Sequence, residues 1–136
     1  MKRLEHIGIL VHDLEEAERI FGDLLGEPSY KRELVASESV LTSFFKAGDT
    51  KIELLVPTEP GSAIAKSLDR RGPGLHHLAF AVEDLNAEIA HLESLGYRVV
   101  TAPKQGADGK RIAFLHPSDT AKVLVELCEE NAGETA

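Results

Sequence analysis

With 136 residues, 43% of them hydrophobic and 28% charged, the chain suits one soluble domain, or two small halves fused into one body. A net charge of −8 speaks against nucleic acid as a partner, although a local basic cluster still leaves room for an anionic small ligand. No apolar run reaches the length of a membrane span, no leader-like segment opens the chain, and the single cysteine, Cys128, permits no internal disulfide; no membrane and a cytoplasmic home are expected.

Residues 4–11 alternate as a strand does, with His6 and Gly8 on one face and Ile7, Ile9 and Val11 on the other. Asp13 then offers an N-cap, with Glu16 at the third helical position of a capping box. Leu14, Ala17, Ile20, Phe21, Leu24 and Leu25 recur at helical spacing until Gly26 stops the helix. Strand character returns at about 30–34, 40–46 and 51–56, with a turn sequence, Ala47-Gly48-Asp49-Thr50, between the last two. Residues 57–61 read as a linker and 62–70 as a short helix, which Arg71-Gly72-Pro73-Gly74 breaks.

A second strand then begins, Gly74-Leu75-His76-His77-Leu78-Ala79-Phe80-Ala81-Val82, and the pattern repeats. His77 through Leu85 matches His6 through Leu14 at a constant offset of 71 residues. A helix follows, with Leu85, Ile89, Leu92 and Leu95 on one stripe and Gly96 as its stop. The Phe44–Thr50 turn resembles Phe114–Thr120, and each leads into a strand with one acid among aliphatics, Glu53 in the first copy and Glu126 in the second. The chain thus contains two copies of strand–helix–strand–strand–strand.

Glu53 and Glu126 lie in segments so aliphatic that an unpaired charge there is expensive; each taken alone reads either as a solvent-facing residue on an edge strand or as part of a site. His6 or His77 alone reads as a hydrogen-bonded core histidine. Taken together, one histidine and one glutamate per repeat form a donor set for a divalent ion such as Co, Ni, Mn, Fe or Zn, if pseudo-twofold packing brings them to one place. His76 points to the opposite strand face from His77. His91 falls on an exposed helix face, His12 and His116 fall in loops, and Cys128 reads as a small buried hydrophobe. Lys104, Lys110 and Arg111 flank Gln105-Gly106-Ala107-Asp108-Gly109, and Arg70 with Arg71 forms a second basic group. These are either solvated charges or a clamp for a phosphorylated or carboxylated substrate.

Leu4–Ile9, Thr50-Lys51-Ile52-Glu53-Leu54-Leu55, Gly74–Phe80, Phe114-Leu115-His116-Pro117 and Val125–Cys128 carry a resemblance that runs from Leu4 to about Glu130. The chain resembles the methylmalonyl-CoA epimerase family of the vicinal oxygen chelate superfamily. The resemblance implies an α+β fold of paired βαβββ modules, whose eight strands form a curved mixed sheet around a metal cleft. It implies one such domain over 1–128: module one at about 4–57, a linker helix within 58–73 and module two at about 74–128. Residues 129–136 are then a polar tail that frays.

The metal ligands it implies are His6, Glu53, His77 and Glu126. The ion is cobalt by preference, with nickel, manganese or zinc as alternatives. The implied reaction inverts the carbon between a carboxylate and a CoA thioester in a homodimeric enzyme, with Lys104, Lys110 and Arg111 as substrate contacts. Glu126 is one proton-transfer residue. The family's second, a glutamate in the third strand of module one, has no counterpart here: Thr42 falls at the matching place. Glu38, just before that strand, is the nearest carboxylate and takes the role, with a water or a metal-bound hydroxide as the alternative. Two other activities are compatible with the same scaffold: a glyoxalase-type isomerase acting on a glutathione hemithioacetal, and a small-molecule binder without turnover.

Overall fold

The computed structural model describes residues 2–130. The first module comprises β1 (Arg3–Leu10), α1 (Leu14–Leu25), β2 (Lys31–Val35), β3 (Val40–Ala47) and β4 (Thr50–Pro57). Helix α2 (Ala63–Arg71) leads to the second: β5 (Gly74–Val82), α3 (Leu85–Ser94), β6 (Lys104–Gln105), β7 (Arg111–Leu115) and β8 (Val125–Glu129). Both copies of the repeat therefore have the βαβββ order read from the sequence. The chain forms two compact units, one from His6 to His76 and the other from His77 onward together with the N-terminal residues through Glu5.

In the first unit the strands lie in the order β2-β3-β4-β1, and in the second β5-β8-β7-β6. Each module pairs its first strand parallel to its last, β1 with β4 and β5 with β8, and its remaining strands antiparallel. A parallel pair needs a crossover, which α1 and α3 supply. Both helices start where the sequence placed them. The side chain of Asp13 accepts from the Glu16 backbone N–H and that of Asp84 from the Ala87 N–H, satisfying donors that a bare helix end would leave open. Gly26 ends α1 in the left-handed region at φ 78°, where a Cβ would be strained.

Alternation along the strands sorts each sheet into two faces. In the first unit Val11, Phe45 and Leu54 pack with Leu14 and Ala17 of α1, and Ile9, Leu41, Ile52 and Val56 join them. In the second, Val82, Ala113, Leu115 and Leu127 pack with Leu85, Ile89 and Leu92 of α3. These helix-facing sides hold the larger apolar clusters, and the opposite face of the second unit buries a smaller one of Ala79, Ile112 and Cys128 with Phe114.

The structure departs from the sequence reading in several places. Ile20 and Leu24 are exposed because α1 seats only its Leu14–Ala17–Phe21 stripe; Leu95, placed on the core stripe of α3, is 61% exposed because the helix ends at Ser94. Strand β8 begins at Val125, after a turn in which Ala121 and Lys122 both have positive φ. Glu129 is no frayed residue: it closes β8, accepts from the Leu85 N–H at 2.9 Å and meets Arg111 at 3.4 Å. Glu130 bonds Val82 through its backbone and Arg3 through its carboxylate, at 2.8 Å for the latter. The rest of the expected tail, 131–136, lies outside the described residues.

The loop before β7 has one tight point. A Cβ on Gly106 would stand 2.6 Å from the Ile112 Cδ1 and 3.0 Å from its Cγ1 and Cγ2. Ile112 is buried against Ala79 and Cys128 and has little room to turn away. Gly106→Ala is expected to destabilise the fold by about 1–3 kcal/mol, as overpacking of a filled core does, measurable as a lower midpoint in urea unfolding.

Candidate functional site

In the first unit the face turned away from α1 carries His6, Gly8 and Leu10 on β1, and Lys51, Glu53 and Leu55 on β4. It continues with Val40, Thr42 and Phe44 on β3, and Lys31, Glu33 and Val35 on β2. Gly8 is the cross-strand partner of Glu53, so no side chain intervenes where the Glu53 carboxylate leaves the sheet. That carboxylate turns to His6 instead, with Oε2 3.1 Å from Nδ1. Both side chains are buried, at 4% exposure for His6 and 3% for Glu53.

The second unit repeats the arrangement. His77 Nε2 stands 3.5 Å from Glu126 Oε1, and both are again buried. Phe114, opposite Glu126 in the β7–β8 ladder, meets the His77 ring edge-on at 5.9 Å and fixes the plane of the imidazole. Ala79, opposite Glu126 in the β5–β8 ladder, leaves the carboxylate room. The thiol of Cys128 donates to Glu126 Oε2 at 2.7 Å. Cys128 is therefore more than the buried hydrophobe expected of it: it orients a carboxylate two residues away on the same strand face. That contact was legible in the i, i+2 spacing.

The four expected metal ligands thus occur as two buried imidazole–carboxylate pairs, one per unit. His76 lies in the chain just before His77, and burial, with Arg71 adding its charge, holds it well down, to about 4, so it is neutral at pH 7. His12 and His91 are exposed. The His116 imidazole accepts from the Ser118 N–H at 3.2 Å and so caps the short turn Pro117–Asp119. Just after it, Asp119 takes three bonds from Arg98, two from the guanidinium and one from the backbone. Those bonds depress its carboxyl to about 2 and fasten this loop to the chain after α3.

The remaining candidates have mixed placements. Lys104 is half-buried in β6, but Lys110 is 2% exposed and so is not a solvated loop charge. Arg111 is spoken for within the fold, reaching Glu129 at 3.4 Å and Asn86 Oδ1 at 3.3 Å. Glu38 ends the 3-10 turn Ala36–Glu38 between β2 and β3, beyond the Val35–Val40 pair that opens the ladder. One carboxylate escaped the sequence reading. Glu33 of β2 is the direct partner of Thr42 across the ladder and shares its sheet face. Thr42 is buried to 1% exposure, and its Oγ1 has no hydrogen-bond partner among the described residues.

The profile of the Glyoxalase/Bleomycin resistance protein/Dioxygenase superfamily matches residues 5–114. The ethylmalonyl-CoA/methylmalonyl-CoA epimerase of Cereibacter sphaeroides is 40% identical over 128 residues, which cover 92% of this chain and 96% of the relative. The crystal structure of methylmalonyl-CoA epimerase from Mycobacterium tuberculosis superposes with a TM-score of 0.89 at 36% identity, covering 97% of this chain and 90% of that one. A methylmalonyl-CoA epimerase in complex with methylmalonyl-CoA and NH4+ gives 0.90 at 34% identity, covering 97% and 96%.

Proposed function

The chain belongs to the Glyoxalase/Bleomycin resistance protein/Dioxygenase superfamily, and from that premise we propose that it interconverts the (R) and (S) forms of methylmalonyl-CoA. The observation that carries this reading is the pair of buried His–Glu contacts, His6–Glu53 and His77–Glu126, in a chain similar over nearly its whole length to named epimerases of that substrate.

The donor set fits a divalent ion. Two imidazoles and two carboxylates suit a borderline metal, and carboxylates buried beside imidazoles are an environment that a cation relieves. We propose that His6, Glu53, His77 and Glu126 together hold one ion, with cobalt as the first to try. When bound, it supplies the positive charge that draws electron density from the substrate's carboxylate and thioester oxygens and makes the α-proton acidic. The remaining work falls to the chain. Glu126, its carboxylate steered by Cys128 and His77, exchanges a proton with the α-carbon on one face. A second acid from the first module serves the other face; Glu38 is the candidate read from the sequence. Lys104, Lys110 and Arg111 are the basic residues proposed to meet the phosphates of the CoA end, with Arg111 also paired to Glu129 and Lys110 buried.

We further propose a homodimer, to which the exposed Ile20 and Leu24 of α1 lend apolar surface, and a cytoplasmic location. Among the described residues no helix is long and apolar enough to cross a membrane.

The test is to load the protein with cobalt and incubate it with methylmalonyl-CoA in deuterated water, following α-deuterium and configuration together. Metal-dependent inversion with deuterium incorporated is the expected result. Bound metal without exchange moves the assignment to a glyoxalase-type isomerase. Neither metal nor exchange leaves a small-molecule binder.

A further inference from the structure

Inverting a carbon through a planar enolate takes two proton carriers, one for each face. Glu126 is one, and the module-one strand expected to give the other, β3, has Thr42 there and no acid. The β2–β3 register settles where the nearest carboxylate on that face lies. Glu33, Thr42 and Leu55 form one row across β2, β3 and β4, and Lys31, Phe44 and Glu53 form the next row on the same face. Glu33 is therefore two residues, about 7 Å along the strands, from the row of Glu53. The turn that holds Glu38 lies beyond Val40, four residues or about 13 Å from that row.

Two further observations mark the spot. The Thr42 hydroxyl is buried with no hydrogen-bond partner among the described residues, and an unspent polar group in a protein interior costs stability unless something fills its need. Glu33 is half-buried, and Lys31, whose ammonium also lies 4.6 Å over the Phe44 ring, stands 4.0 Å from its Oε1 and draws the carboxylate along β2 toward the row of Phe44 and Glu53.

We propose that Glu33 is the second proton carrier, and that Thr42 is a positioning residue whose hydroxyl is satisfied by the bound substrate or by a water between it and Glu33. The inference rests on the epimerase reading above. In one direction the Glu33 carboxylate takes the α-proton: the C–H bond breaks, its electron pair passes into the thioester as the enolate, and protonated Glu126 delivers a proton to the opposite face. The reverse direction exchanges the two roles, and each acid re-equilibrates with solvent.

Single epimers of methylmalonyl-CoA, incubated in deuterated water with metal-loaded wild-type protein and with Glu33→Gln and Thr42→Val, test this. The wild type should exchange and invert both epimers. Glu33→Gln should lose inversion by at least about 100-fold, while the epimer whose α-hydrogen faces Glu126 still exchanges it for deuterium with retention. Thr42→Val should keep or raise the melting temperature, having lost only an unsatisfied hydroxyl, yet lower kcat about 10-fold. Wild-type inversion in Glu33→Gln, or equal loss of exchange from both epimers, overturns the assignment to Glu33 and leaves the epimerase reading standing. A wild type that neither exchanges nor inverts overturns both.

Discussion

Glu126→Gln is expected to lower the epimerisation rate by about 1,000-fold, within the range general acid–base groups contribute, while the protein stays folded. Glutamine keeps the size of glutamate, and its amide oxygen can still accept from the Cys128 thiol, so the strand pairing of β8 with β5 and β7 survives. An amide can neither take up a proton at this position nor offer the ion the anionic oxygen proposed for it, and the variant removes both. Inversion followed by chiral separation of the two thioesters measures the loss. Wild-type turnover in the variant would remove Glu126 from the reaction. Glu38→Gln, at the turn outside the ladder, should have the smaller effect.

His6→Ala and His77→Ala should each empty the metal site, taking bound ion from one per chain to almost none. The outcome depends on whether the two pairs share one ion. If each imidazole–carboxylate pair held an ion of its own, either single variant would retain half of the metal. If one ion takes donors from both pairs, losing either histidine weakens binding by more than about 100-fold, since even outer partners of metal ligands are worth 10- to 100-fold. Elemental analysis after dialysis distinguishes the two cases. Full occupancy in either variant would overturn the four-ligand set.

Much of the scaffold was legible because local rules were sufficient. The Asp13 and Asp84 caps, the left-handed Gly26 and the small residues beside His77 each follow from chemistry a few residues wide. The repeat supplied the rest, since a second His and a second Glu in the same order turn two unremarkable buried residues into a donor set. What escaped depended on partners distant in sequence. Leu95 has the right spacing for the α3 stripe, but the helix stops before it. Glu129 looks like the start of a polar tail until Arg111 and the open N–H of Leu85 are seen to need it. Glu33 sits among Lys31, Arg32 and Leu34 with no motif around it. Only the hairpin register, set by the 3-10 turn at Ala36–Glu38 and the positive φ of Ser39, places it opposite Thr42.

The assignment of the first few residues to the unit that begins at His77 has a bearing on biosynthesis. Lys2 pairs with Glu88 at 2.8 Å and Arg3 with Glu130 at the same distance, the second contact closing a loop of 127 residues. Lys2 and Arg3 are synthesised long before the partners they meet, whereas most contacts within His6–His76 can close earlier in synthesis. A gene cut between His76 and His77 would therefore not yield two self-sufficient halves. The upstream fragment would carry away the N-terminal segment that its neighbour needs, and a fusion placed ahead of Lys2 would burden the last unit to fold rather than the first.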